Sequence, residues 1–183
     1  LSRLGALPAR SRRARRYACG AEREREVVTV RIDYGRIGNE GVAALGRVEA
    51  YVRRSGLERS LLELVKMRAS QLNGCGYCLD MHSKDARAGG ETEQRLYVLP
   101  AWREAPFYTE RERAALEWTE AITLIDHSHV SDELYERVRA HFDEKELVDL
   151  TLAVTTINTW NRLAIAFRSE VGSYQPAEGT ASR

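Results

Sequence analysis

The stretch LLELVKMRASQLNGCGYCLDMHSKDARAGG, residues 61–90, holds two runs of helical character separated by a single break. Leu61, Leu64, Val65, Ala69 and Leu72 recur at intervals of three and four, which lines one face of a helix. Asn73-Gly74 stops that helix. A second begins around Cys75 and runs to Ala88, where Gly89-Gly90 supplies the positive φ that closes a helix C-terminus. A break this short folds two helices into a hairpin.

Outward from this hairpin the same period continues. Upstream, Val42, Leu45, Val48 and Val52 mark a helix ending near Ser55-Gly56, and before it VVTVRIDY (27–34) reads as an extended lead-in. Downstream, a short helix through Leu96 and Leu99 ends at Pro100. The loop AWREAPF (101–107) follows, with Trp102 and Phe107 folding back onto the core. Thr109 with Glu112 forms a capping box ahead of Ala115, Trp118, Ile122 and Ile125. Ser131 opens a helix through Leu134, Val138 and Phe142. Asp143 with Glu146 caps a long last helix whose apolar residues, from Leu147 to Phe167, surround much of its circumference, so it is buried on several sides. The fold class is all-α.

At 183 residues the chain suits one domain better than two. The expected organisation is a basic, disordered extension over 1–26, a helical domain over 27–172 and a disordered tail over 173–183. The extension has eight arginines against three glutamates, a balance of +5 that leaves −4 for the rest of a chain at +1. It lacks core-forming residues, and its Cys19 reads as a thiol without function. No apolar run nears the roughly 18 residues of a membrane span, and no secretory h-region is present. The expected place is cytoplasmic, with neither membrane nor nucleic acid as partner.

Three cysteines are no disulfide framework, but two stand in Cys75-Gly-Tyr-Cys78 at a helix start. At about 100° per residue, Cys75, Cys78 and His82 fall within about 60° of one another on one face. The helix N-terminus favours thiolate over thiol, and His82, one turn beyond Cys78, can hold or pass a proton. Glu63 lies twelve residues before Cys75 on the preceding helix, where a hairpin brings it beside the thiols or the imidazole. Spacing alone does not single it out from the other glutamates.

The run from Glu63 through Cys75-Gly-Tyr-Cys78-Leu-Asp-Met-His82 to Arg87 resembles the core of the alkylhydroperoxidase AhpD family, within the carboxymuconolactone decarboxylase superfamily. The likeness continues through GETEQRLYVLPAWREAPFYTERERAALEWTEAIT and, more weakly, to Phe167. It implies an all-α, AhpD-like fold that assembles through its helices into trimers or hexamers. It also implies a peroxidase that needs no cofactor and reduces a hydroperoxide with electrons from a dithiol, of thioredoxin or lipoyl type. By position Cys78 matches the cysteine oxidised to a sulfenic acid, Cys75 its proton donor and resolving partner, and Glu63 and His82 the proton relay. Tyr77 departs from the family, whose best-studied members have His there. A phenol titrates too high to shuttle protons near neutrality, which implies a shorter relay.

Other readings of these residues carry less. Cys75, Cys78 and His82 could be three zinc ligands, but no fourth is evident nearby. A structural disulfide across three residues would constrain almost nothing, and a thioredoxin fold would need strands that are lacking. His127 and His129 read as an exposed loop. As a function, a redox-sensing or scaffold protein that turns nothing over is the alternative. A decarboxylase-like activity is weaker still, because that branch does not need the two cysteines.

Overall fold

The computed structural model describes residues 29–176, and the basic extension, Cys19 and the end of the tail lie outside them. Nine α-helices and one 3₁₀ turn follow one another with no β-strand among the described residues. They are α1 (Tyr34–Ile37), α2 (Asn39–Val52), α3 (Arg59–Asn73), α4 (Gly76–Ala88) and α5 (Glu93–Val98). After the 3₁₀ turn Leu99–Ala101 come α6 (Glu110–Thr123), α7 (Ile125–Ser128), α8 (Asp132–Arg139) and α9 (Glu144–Phe167).

The centre is α3, which packs against α4, α6 and α9. Its apolar face divides two cores. Val52, Leu61, Leu62 and Val65 meet Ala115, Trp118, Val138, Phe142, Leu150 and Val154 on one side. Leu64 and Met67 meet Leu96, Leu99, Trp102, Tyr108 and Leu116 on the other. Trp102 is buried as its sequence suggested, its indole N–H donating to Glu120 at 2.8 Å, and Phe107 packs on the same core. α9 buries residues all along its length.

Local signals set several boundaries. Both capping boxes form: Thr109 and Glu112 at the start of α6, Asp143 and Glu146 at the start of α9. Such caps satisfy N–H groups that have no partner within the helix. The lead-in, residues 29 to 33, forms neither helix nor strand and is tied to α9 by the Arg31 N–H on the Phe167 carbonyl at 3.0 Å. Two single turns, α1 and α7, went unforeseen, being too short for a periodicity to register. Of the glycine pair closing α4, only Gly90 has positive φ (94°), whereas Gly89 stays at −80°.

The α3–α4 hairpin fixes the site. Gly74 takes the left-handed conformation (φ 67°), and its N–H and that of Cys75 turn back onto the carbonyls of Gln71 (3.2 Å) and Ser70 (3.0 Å). This is the Schellman closure. The Cys75 carbonyl then accepts the Leu79 N–H at 3.0 Å, so one residue ends α3 and starts α4.

Candidate active site

Cys75 is the residue preceding α4, in extended conformation (φ −85°, ψ 96°), and not part of its first turn as the helical spacing suggested. The physical reason is the Schellman closure, which uses the Cys75 N–H to end α3. Cys75 and Cys78 nevertheless come within 3.3 Å of each other, both reduced and both buried, and His82 lines the same cavity as Cys78. Hydrogen bonds from the Cys78 thiol, from the backbone N–H of Cys78 and Tyr77 and from the Asn161 amide outweigh the burial of Cys75 and lower its pKa from 9.0 to about 6. Cys78 moves the other way: donating to the neighbouring sulfur, burial and that sulfur's negative charge all raise it. The pair thus shares one proton near neutrality, with the anion on Cys75.

Behind Cys78 runs a chain of buried charges. His82 Nδ1 lies 2.8 Å from Glu63 Oε2, and both residues are buried. The Lys66 ammonium lies 3.8 Å from Glu63 and 2.7 Å from Glu49, which also receives Arg53 at 3.2 Å. Lys66 is only 1% exposed. Burial raises Glu63, but the His82 hydrogen bond and the Lys66 ammonium prevail and hold it below the ordinary 4.5. Glu63 is therefore a carboxylate, and it accepts from His82 Nδ1–H, which leaves Nε2 as the basic nitrogen.

A cavity of about 250 Å³ opens onto this group, lined by Cys78 and His82 with Tyr34, Tyr77, Met81 and Trp160, and with Glu49 and Arg53 on the same wall. Cys75 does not line it. Burial, and next the neighbouring Tyr34, push the Tyr77 phenol upward, so it stays neutral. His127 and His129 are exposed and line neither of the cavities beside Glu63 and His82, His127 lying in the single turn α7. A second cluster, Glu63, His82 and Asp85, has one potential ligand atom from each residue within 4.8 Å of the others. A histidine with two carboxylates is a donor set that divalent cations accept. Here Lys66 already places positive charge beside Glu63.

Several residues escaped sequence reasoning. Lys66 had a signal, since it stands three residues after Glu63 on the same helix face. Asn161 had none: it donates to Ser70 across 91 residues at 3.0 Å and accepts from Asn73 at 2.8 Å. Asn73 also bonds Asn158 at 2.8 Å, so the loop before Cys75 is fastened to α9.

Residues 38–121 match the model of the carboxymuconolactone decarboxylase family. The chain is 50% identical over 143 residues to the uncharacterized protein YdfG of Bacillus subtilis (strain 168), covering 78% of this chain and 97% of that protein. It is 32% identical over 127 residues to the uncharacterized protein YnjA of Escherichia coli (strain K12), covering 69% and 66%. Among solved structures, a protein of unknown function from Agrobacterium tumefaciens, described as a candidate antioxidant defence protein AhpD, superposes with a TM-score of 0.77 at 44% identity. That match spans 80% of this chain and all of the other.

Proposed function

The chain belongs to the carboxymuconolactone decarboxylase family, on its AhpD-like side, and from that premise we propose that it is a thiol-dependent peroxidase using Cys75 and Cys78. The observation that carries this reading is two reduced, buried cysteines 3.3 Å apart, one of which, Cys78, lines a cavity together with His82. His82 takes the proton of Cys78, and the thiolate attacks the near oxygen of a hydroperoxide. The O–O bond breaks, the alkoxide leaves as an alcohol by taking that proton, and Cys78 becomes a sulfenic acid. The Cys75 thiolate then attacks the Cys78 sulfur and expels hydroxide, which leaves as water on gaining a proton. The resulting disulfide is reduced by a dithiol, whose own sulfurs are oxidised in turn. Glu63 orients the imidazole and offsets its charge.

Access and acidity divide the roles. Cys78 lines the cavity but is the less acidic thiol; Cys75 is the more acidic one but does not line the cavity. Cys78→Ser should therefore be inert toward hydroperoxide. Cys75→Ser should consume about one equivalent and stall as a sulfenic acid that a dimedone-type probe traps. Mass spectrometry after one peroxide pulse reads both. Label on Cys75 in the first variant and none on Cys78 in the second reverses the roles. Label in neither removes the peroxidase reading and leaves a redox-sensing or scaffold protein.

A further inference from the structure

The proton balance of this cycle raises a question of access. The resting pair carries one proton, whereas the products of oxidation, an alcohol and water, require one more than the pair and the hydroperoxide supply. One proton must enter during each oxidation and leave during each reduction.

A second cavity, of about 320 Å³, is lined by Arg53, Arg59, Glu63, Lys66, Asp85 and Tyr174. His82 lines the first cavity and Glu63 the second, their 2.8 Å hydrogen bond links the two, and Arg53 borders both. The His82 hydrogen bond and the Lys66 ammonium hold Glu63 as an anion, so it can pass a proton on without keeping it. Asp85 lines the same cavity. It is buried, it accepts the phenol hydrogen of Tyr174 at 2.7 Å, and no lysine or arginine among the described residues forms an ion pair with it. One of its oxygens lies within 4.8 Å of the ligand atoms of His82 and Glu63, a gap of a size that a single water molecule can span.

The C-terminal segment secures this arrangement. Gly172 (φ 96°) turns the chain, Val171 packs so near Gly76 that a Cβ there would stand 3.4 Å from its Cγ2, and Lys84 Nζ donates to the Tyr174 carbonyl at 2.9 Å. Burial first, and the Asp85 bond next, raise the Tyr174 phenol to about 12, so it stays a donor. A bound cation would be another use for Glu63, His82 and Asp85, but Lys66, Arg53 and Arg59 around the same cavity oppose it.

We propose that Asp85, positioned by Tyr174, is the port through which the hydrogen-bonded His82–Glu63 pair exchanges protons with solvent by way of the second cavity. The proposal rests on His82 serving as the base of the cysteine pair. Neither residue touches sulfur: Asp85 acts through His82, and Tyr174 acts through Asp85.

The test is stopped-flow tryptophan fluorescence of both half-reactions, oxidation by cumene hydroperoxide and re-reduction by dithiothreitol, at low and high concentrations of a small buffer acid such as imidazole. Wild type should be insensitive to buffer. Asp85→Asn should be slower by about tenfold or more at low buffer and recover as buffer rises, because a diffusing acid replaces the missing carrier. Asp85→Glu should restore the rate without added buffer, and Tyr174→Phe should show a smaller, equally rescuable loss. An Asp85→Asn protein as fast as wild type, or one whose slowness ignores buffer, overturns the port. If cumene hydroperoxide fails to oxidise wild type, the peroxidase reading falls. Oxidation of the pair by a small disulfide and its reduction by dithiothreitol then still measure the port.

Discussion

Replacing Lys66 by Met tests the buried charge chain behind the thiols. Its ammonium stands 2.7 Å from Glu49 and 3.8 Å from Glu63. At an effective dielectric of about 20 these distances correspond to attractions on the order of 6 and 4 kcal/mol before desolvation is subtracted, so Glu49 is the stronger partner. Removing one member of a buried pair typically costs about 3–5 kcal/mol. Arg53 remains on Glu49 and His82 on Glu63, and Met fills the volume of the lysine stem, so the lower end, about 3 kcal/mol, is expected. In a domain of this size that lowers Tm by about 6–12 °C. Both carboxylates have folded pKa values below the ordinary 4.5. Their contribution is therefore complete above that value and is lost as pH falls through the lower folded values. Without Lys66 both values rise, so the gap between wild type and variant is widest near neutrality and narrows below about pH 5. Thermal melts followed by circular dichroism from pH 4 to 8 measure this. A Tm within about 2 °C of wild type at neutrality, or a gap that widens on acidification, would refute the assignment of Lys66 as a structural counter-ion.

Three further outcomes are expected. Alkylation of Cys75 by iodoacetamide, followed by mass spectrometry in the Cys78→Ala protein and in wild type, should show a midpoint near 6 in wild type. The midpoint should be higher when the Cys78 donor is removed, and identical midpoints would show that the shared proton does not set the acidity. Glu63→Gln and His82→Ala should each slow turnover by about a hundredfold or more while leaving the fold and the Cys75–Cys78 disulfide attainable; unchanged pH–rate profiles in both would remove them from the site. Light scattering should give an oligomer at micromolar concentration, because Ile32, Ile37, Val148 and Ile165 are exposed and an apolar groove runs between α1–α2 and α9. A clean monomer is the opposing result.

What the sequence by itself determined is short in range. Helical period, the two capping boxes, the Asn73-Gly74 stop and the placement of Cys75, Cys78 and His82 on one face depend on residues within about one turn of each other, where spacing and local hydrogen bonding decide the conformation. Glu63 was legible only by resemblance, since period and charge gave it no distinction. Tertiary structure decided the rest. It turned Cys75 from a first-turn residue into a cap, because the backbone of one residue had to serve two helices. It divided the acidity of the two thiols unequally, because the fold brings the Cys78 thiol to donate to the Cys75 sulfur. It buried Lys66 between carboxylates 17 residues upstream and three residues before it. It also set Asn161 against Ser70 and Tyr174 against Asp85, across 91 and 89 residues. Contacts of that span form only when α3 is enclosed by α4, α6 and α9, and no local pattern encodes which polar side chains then meet.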